Sequence, residues 1–401
     1  MNRSVLWSRI GVGAAVAVVM AAGSGSAVAQ EDDGLALKMA EASKPGRFFM
    51  RGGAIFVKIK TKSGDTYDVT GPVISYEDLV AVTAIENRPI VTGAVERPPG
   101  VTTGNFANLA TGAQGAVRVR ERMLAEGISG LGTPPGVKGE ASKQEGTIGL
   151  SIGYFLDESR NWALESYVLA VPLSTSVTAR GQSSIREGED DEGNPIQVER
   201  PFGLEGQKII KTKLLPPVVM LGRYWGDATS KFRPYVGAIA MYAMFYDTKA
   251  TQALNSYVGG GSPGDTTVSI KNSFGMGPMV GLKYEFAERW HLSFNVGHVR
   301  LKTQATLTTR NTTLTNETGA IQDYGCRENC ILGTGSISDE VAAGEFAYRN
   351  NAGIRLNGGV VGVVSKGVAA IKGQENLGTF VRKTDTKLDN TLFMLSVGRS
   401  F

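Results

Sequence analysis

The chain has 401 residues, with 52 glycines, 2 histidines and 2 cysteines, and its 42 basic residues nearly balance its 38 acidic ones. That balance argues against a nucleic-acid partner, which would leave a one-sided basic excess. Outside one short N-terminal run, no stretch approaches the roughly 20 apolar residues of a membrane-spanning helix. The composition therefore excludes a helical membrane protein.

The N-terminus has the parts of a secretory signal. Two arginines precede the apolar run Ile10–Ala22, and the small residues Ala27–Ala29 follow it. We expect residues 1–29 to be cleaved off before Gln30 and residues 30–45 to form a periplasmic leader. An uncleaved anchor helix is the alternative, although the run is short for one.

The two cysteines, Cys326 and Cys330, lie four positions apart. An exported chain meets oxidising conditions, so we expect a local disulfide between them. Two free thiols are the alternative. No other cysteine or histidine lies near this pair, so we expect no metal site there.

Beyond residue 45, apolar and polar residues alternate as they do in half-buried strands. In the first such segment Phe48, Met50, Ala54 and Phe56 share one face and Arg51 lies on the other. A charge facing lipid near the bilayer centre costs about 2–4 kcal/mol, so we expect Arg51 to face inward. Each alternating segment is long enough to cross a bilayer, for which about 9–11 tilted residues suffice. The segments are 46–59, 145–156, 162–178, 214–225, 232–246, 273–286, 290–306 and 389–401.

Connections between these segments alternate between short and long. Short turns lie at 157–161, 226–231 and 287–289, and long connections at 60–144, 179–207, 248–265 and 309–387. Short periplasmic turns and long outer loops are typical of outer-membrane barrels. We therefore predict an all-β fold, an eight-stranded antiparallel transmembrane β-barrel over residues 46–401. Its two longest connections, 60–144 and 309–387, would be extracellular insertions. A helix-like piece, Asn105–Glu126, would pack on its own loop or lie on the membrane surface.

Four segments carry a resemblance to a known family. They read GRFFMRGGAIFVKI, GYFLDESRNWALESYVLAVPL, LLPPVVMLGRYWGDATSKFRPYVGAIAMYAMFYD and LFMLSVGRSF. They are similar to the OmpW family of eight-stranded outer-membrane barrels, which includes the AlkL-type alkane importers. The resemblance implies a narrow apolar channel that passes small hydrophobic molecules and releases them sideways into the membrane. The chain departs from the family in its long insertions and in Arg399, where the family often has an aromatic residue.

The inward-facing residues form two predicted zones. An eight-stranded barrel is filled by side chains or holds one small ligand, so it cannot be a wide pore. The lower zone is a charged floor of Arg51, Glu165, Lys283 and Glu285, whose opposite charges should pair. The upper zone is an apolar lumen of Ile55, Val57, Leu169, Val171, Val218, Met220 and Leu392. The upper zone would bind a hydrophobic solute, and the charged floor would prevent it from passing straight through the barrel. The alternative is ordinary barrel packing with no transported solute.

Three prolines mark a predicted seam. Pro172 lies on the third strand, and Pro216 and Pro217 lie on the fourth. Proline cannot donate to a strand ladder and is confined to edges or bulges. We hypothesise a lateral opening between strands 3 and 4. Strands that simply end at the outer rim would explain the prolines equally well.

We expect an outer-membrane channel in a Gram-negative bacterium. No enzyme is expected, because neither His291 nor His298 has an assignable catalytic partner, and no metal or cofactor is expected. The predicted partners are outer-membrane lipid, small hydrophobic solutes and the barrel-assembly machinery, which would recognise the strand ending at Phe401. One alternative is a structural or adhesive surface protein whose barrel anchors its loops. Another is a lipid-modifying barrel enzyme. The oligomeric state stays open.

Overall fold

The computed structural model describes residues 46–86, 112–113, 115–117, 119–121, 123–124, 130–326 and 359–401. The predicted signal peptide and leader lie outside the described residues, as do Cys330 and the side chain of Cys326. The disulfide therefore stays a prediction. None of the described helices is long and apolar enough to cross a membrane.

Antiparallel strands make up most of the described chain. Their alternating burial follows from the two-residue period of a strand, as in β7, where exposed and buried residues alternate throughout. The strands are β1 (Phe48–Ser63), β2 (Tyr67–Asp68), β3 (Ile74–Ser75), β4 (Gly130–Leu131), β5 (Lys138–Glu140), β6 (Ser142–Phe155), β7 (Trp162–Leu169), β8 (Leu173–Arg180), β9 (Gln182–Glu189), β10 (Pro195–Pro201), β11 (Lys208–Leu215), β12 (Val218–Tyr224), β13 (Phe232–Ala250), β14 (Thr266–Ile270), β15 (Ser273–Ala287), β16 (Trp290–Thr309) and β17 (Phe380–Ser400).

The longest strands pair in a closed ring. From β1 the pairing runs one way through β17, β16 and β15 to β13. It runs the other way through β6 and β7 to β12, and β12 pairs with β13. Closure removes the unpaired edges that an open sheet would expose to lipid. Above this ring, β5, β8 and β11 continue the wall between β6 and β13. The prediction of an antiparallel barrel is confirmed.

The outer face of the ring carries an apolar band with aromatic residues at its lower edge. There the Phe48 and Phe401 rings lie 6.0 Å apart, and the Arg399 guanidinium lies 5.7 Å from the ring centroids of both Trp290 and Phe401. Arginine on aromatic rings at an interface keeps its charge near water. At about 3.3 Å per residue and a tilt of about 40°, β1 rises about 25 Å from Phe48 to Lys58. That height matches the lipid-facing band of an outer-membrane barrel.

The strands extend further outward than the sequence pattern predicted. Strand β1 runs to Ser63 and β17 begins at Phe380, so both enter the segments assigned to insertions. The sequence pattern did not predict the outer ends of these strands, because their outward face is charged, as at Lys60, and their inward face carries threonine, as at Thr61. The fourth predicted strand is also divided, since Pro216 and Pro217 separate β11 from β12.

The two long insertions share one hydrophobic core, which we call the cap. Its helices are α1 (Tyr76–Glu86), a helical segment described at 112–113, 115–117, 119–121 and 123–124, and α4 (Gly359–Ile371). Short helix α2 (Gln252–Tyr257) lies in another outer connection, whereas α3 (Gly319–Ile321) and a π-helical turn (Gln322–Cys326) lie in the second insertion. The helical segment packs on α4 of the other insertion. Gly112 approaches Gly367 so closely that an added Cβ would lie 2.8 Å from the Gly367 Cα.

Candidate functional site

A buried ion pair closes the lower barrel. Arg51 of β1 places Nη1 2.8 Å from Oε2 of Glu165 on β7, and both side chains are almost fully buried. The Arg51 Nε donates to His291 Nε2 at 3.0 Å, and Ser151 Oγ donates to Glu165 Oε1 at 2.5 Å. Charge-assisted hydrogen bonds of this kind offset the cost of burying both charges. Two of the four residues predicted for the floor, Arg51 and Glu165, thus form an ion pair.

Lys283 and Glu285 form a second, looser pair. Lys283 Nζ lies 3.4 Å from Glu285 Oε2, and the glutamate side chain is 22% exposed where the lysine is 4% exposed. The Lys283 ammonium also lies 5.8 Å from the centroid of the Phe155 ring. This pair lies nearer the barrel end and faces water more than the Arg51 pair does.

Aromatic side chains fill the bore beside these charges. The Phe49 ring lies 5.2 Å from Phe155, which lies 5.5 Å from Tyr224, and Tyr224 stacks on Tyr235 at 4.2 Å. All four rings are buried. Gly153 makes room for this layer, since a Cβ there would meet the Phe49 ring at 2.1 Å. The charges and rings together form the floor, a packed plug across the lower barrel.

Most of the predicted apolar lumen lies in a packed core above the floor. Six of the seven residues are buried in one cluster: Ile55, Val57, Leu169, Val218, Met220 and Leu392. Within the described residues, none of these six borders the cavity described below. The open part of the lumen lies further out, because the strands themselves continue further out than predicted.

Val171 was placed wrongly. Its side chain is 58% exposed and faces outward. Strand β7 ends at Leu169 and β8 begins at Leu173, with Pro172 between them. The strict two-residue alternation fails across this break, because a proline cannot donate to the ladder and the backbone leaves regular strand geometry.

A cavity of about 100 Å³ lies in the upper barrel. Its wall is made of aliphatic and threonine side chains, with few charges. The residues of this wall from the barrel strands include Ile59, Thr61, Thr175, Val177, Ile210, Thr212, Leu214, Thr303, Leu307, Thr384 and Leu388. Ala141 between β5 and β6, Leu204, Val258 and the α2 residues Leu254 and Tyr257 also line it.

Most hydroxyl groups of this wall are paired with one another or with backbone. Thr384 pairs with Thr66 at 2.7 Å, and Thr212 pairs with Thr248 at 2.7 Å. Paired hydroxyls present their methyl groups and little free hydrogen-bonding capacity, so the wall is effectively apolar. The Thr175 Oγ1 is buried without a hydrogen-bond partner in the described chain.

The first insertion is tied to β17 at the wall of the cavity, which Thr133 and Arg382 line. Arg382 is 2% exposed, lies 3.2 Å from the Asp68 carboxylate and donates to Thr133 Oγ1 at 2.9 Å. The Tyr324 hydroxyl donates to the Thr133 carbonyl at 3.3 Å, and burial raises the pKa of Tyr324 to about 12. The tyrosine therefore stays protonated and keeps this donor. These contacts hold the outer end of the barrel together.

The wall has a gap between β6 and β8. The ladder ends below at Gly149 opposite Leu169 and resumes above at Glu140 opposite Thr178, in the same register. Within the described chain, residues 141–147 and 171–177 form no ladder with each other. Thr147 Oγ1 donates to the Val171 carbonyl at 2.9 Å across this wall gap.

The wall gap adjoins the cavity. Ala141, Thr175 and Val177 border the gap and also line the cavity. The wall gap lies between the second and third predicted strands, whereas the lateral opening was predicted between the third and fourth. Pro172 lies on the edge of the gap, while Pro216 and Pro217 interrupt the neighbouring strand. There the ladder stops at Tyr167 opposite Val218 and resumes at Leu173 opposite Leu214.

Sequence reasoning missed both the wall gap and the cavity wall. The length over which two strands hydrogen-bond cannot be read from the sequence of one of them. Pro172 was therefore the one sequence feature that pointed to the wall gap. The upper part of β1 carried a usable signal, because Lys58, Lys60 and Lys62 alternate there with Ile59 and Thr61. Gly112 and Gly367 were a weaker sequence signal for the cap, because they lie far apart in the chain and only the structure shows their contact.

Comparisons with known proteins agree with this architecture. The model of the OmpW family matches residues 196–319. Outer membrane protein W of Vibrio cholerae is 30% identical over 160 residues, which are 40% of this chain and 60% of that protein. Its counterpart in Escherichia coli is 37% identical over 91 residues, covering 23% and 40%. The chain thus spans about half the length of the curated relatives it matches.

Among solved structures, OprG from Pseudomonas aeruginosa aligns with 89% of this chain and 96% of its own, at 15% identity and a TM-score of 0.43. The closed antiparallel wall and its relatives define an outer-membrane β-barrel protein of a Gram-negative bacterium. Within that class, residues 196–319 of the chain are similar to the OmpW family.

Proposed function

We propose that the protein passes small hydrophobic molecules from the cell exterior into the outer membrane. A solute would occupy the upper cavity and leave sideways through the wall gap. The observation that carries the proposal is the position of the cavity, which lies above the packed floor and beside the wall gap.

The floor supports a sideways exit. Straight passage would require the Arg51–Glu165 pair to separate inside a low-dielectric bore. Breaking a buried pair by removing one partner typically costs about 3–5 kcal/mol, and the stacked rings beside it would also have to move. The wall gap requires no ladder hydrogen bonds to break over residues 141–147 and 171–177.

The cavity sets the solute class. An engineered apolar cavity of about 150 Å³ stays dry and binds benzene, so a cavity near 100 Å³ suits a solute of a few heavy atoms unless it expands. The paired hydroxyls of the wall offer few hydrogen bonds to a polar molecule. A small hydrocarbon is therefore the preferred cargo.

A disulfide across the wall gap tests this route. Continuing the register from either side sets residue 144 opposite residue 174. In a Cys326→Ser/Cys330→Ser background, we expect the Gln144→Cys/Ser174→Cys variant to lose uptake of radiolabelled toluene by intact cells when oxidised. Reduction should restore uptake.

The matched control is Val236→Cys/Val280→Cys, which joins two exposed residues across an intact ladder. It should take up toluene at the wild-type rate in both redox states. Equal uptake by the oxidised gap variant, with the crosslink shown by mass spectrometry, would contradict lateral release.

A second candidate function is a surface protein whose barrel anchors the cap. The separate core of the cap favours it, because a simple channel has no need of a second hydrophobic core. Such a protein would show no toluene uptake above cells that lack it. For assembly, we keep the proposal that the barrel-assembly machinery recognises the strand ending at Phe401.

A further inference from the structure

The outward face of β1, β17 and β16 changes from apolar to basic along the strands. Because the three strands are in register, their outward residues form rows of three. Three successive rows are apolar or contain glycine: Gly52–Val397–Leu292, Ala54–Leu395–Phe294 and Phe56–Phe393–Val296. The next three rows are Lys58–Thr391–His298, Lys60–Asp389–Arg300 and Lys62–Lys387–Lys302.

The third polar row sets three lysines directly opposite one another. Lys62 pairs in register with Lys387, which pairs with Lys302, and all three are exposed. Directly opposite residues have Cβ atoms about 4.5–5.5 Å apart, and like charges at that spacing repel. No acidic group is found within ion-pair distance of these three ammonium groups among the described side chains.

The acidic residues of this surface are already occupied. Asp389 lies 3.2 Å from Arg300 Nε and 4.0 Å from His298 Nε2. Asp385, in the row beyond the lysines, accepts from Gln304 Nε2 at 2.8 Å. The six basic side chains Lys58, Lys60, Lys62, Arg300, Lys302 and Lys387 form what we call the basic patch. Asp389 offsets only one of these charges.

We infer that the basic patch binds the phosphorylated headgroup of a lipid in the outer leaflet. A phosphate oxygen cluster would relieve the repulsion of the lysine row and form charge-assisted hydrogen bonds with it. The acyl chains of the same lipid would lie on the row Phe56–Phe393–Val296 directly below. The patch begins where the apolar band ends, at the height where a headgroup lies.

The test uses the full-length protein in detergent micelles with diphosphorylated lipid A, measured by native mass spectrometry. We expect the triple variant Lys62→Gln/Lys302→Gln/Lys387→Gln to bind this lipid roughly tenfold more weakly or worse, since each lysine near an anionic lipid surface contributes substantially. Lipid A stripped of its phosphates should bind wild type and variant alike.

The matched control is Lys211→Gln/Lys213→Gln/Lys249→Gln. It removes the same charge from exposed lysines elsewhere on the wall, two of which pair with Asp247 at 2.9 Å. We expect it to bind diphosphorylated lipid A like wild type. A second readout is thermal unfolding without lipid, where removing the facing charges should raise the Tm of the patch variant. Added lipid should raise the Tm of wild type by more than that of the variant.

Three results would overturn the inference. The patch variant could keep wild-type affinity for diphosphorylated lipid A while folded. The control variant could lose affinity equally, which would indicate that the lipid responds to the overall positive charge of the protein and not to the basic patch. Inorganic phosphate at the lipid's concentration could displace the lipid and bind with the same patch dependence, which would indicate a free-anion site instead of a lipid site.

Discussion

At the residue scale, the cost of placing a charge against lipid predicted the interior correctly for Arg51. It placed Glu165 and Glu285 beside that arginine but could not tell which of them pairs with it, nor add His291, because these residues come from strands distant in sequence. The same periodic reasoning failed for Val171. There a local break beside Pro172 outweighed the alternation of the surrounding strand, and nothing in the sequence fixes the direction of a side chain within such a break.

The floor pair makes a direct stability prediction. Arg51→Leu leaves the Glu165 carboxylate buried without its cation, so we expect the free energy of unfolding to fall by about 3–5 kcal/mol. Denaturant titration of the refolded protein in detergent would measure this. The double variant Arg51→Leu/Glu165→Leu should recover much of the loss, because no uncompensated charge remains.

Lys283→Met provides the comparison for that prediction. Its partner Glu285 is partly exposed, so the carboxylate left behind stays hydrated and the loss should be below about 1–2 kcal/mol. An Arg51→Leu protein as stable as wild type would show that the floor does not depend on this pair.

At the scale of elements, the sequence predicted the membrane-spanning parts of the strands and missed their extensions. Alternation of apolar with small or polar residues marks β6, β7 and β16 within the bilayer. Above the bilayer, outward lysines alternate with inward threonines, so these parts of the strands lack an apolar outward face. The upper part of β1 was therefore assigned to an insertion. The helix near residue 112 was found, but its partner α4 was not, because their contact joins two insertions.

The cap makes a prediction of its own. Gly112→Leu inserts a side chain where a Cβ would already lie 2.8 Å from the Gly367 Cα, so the two helices must separate. Such overpacking costs roughly 1–3 kcal/mol. We expect limited proteolysis to cleave the cap of this variant faster, while the barrel keeps its heat-modifiable migration on gels.

Lys366→Ala is the matched control for the cap, since Lys366 is exposed on α4 and lies next to Gly367. It should resist protease like wild type. A Gly112→Leu cap with wild-type protease resistance would argue against the helix contact as the element that joins the insertions.

At the scale of the whole molecule, three layers follow from one constraint. Inside a closed wall of this size, side chains must fill the bore or leave room for one small ligand. Charges and rings fill it at the floor, aliphatic residues fill it above, and a cavity remains beneath the outer loops. The barrel was predictable from sequence because lipid imposes a repeating pattern. The cavity and the wall gap were not, because they arise where pairing stops.

Photolabelling with a diazirine-bearing alkane tests the central claim most directly. The purified protein in detergent would be irradiated with and without excess unlabelled alkane, and labelled residues located by mass spectrometry. The account predicts competed label on cavity-wall residues such as Ile59, Leu214 and Leu388, with uncompeted label on the lipid-facing Phe56. Competed label at the floor residue Tyr235, or none on the cavity wall, would contradict it.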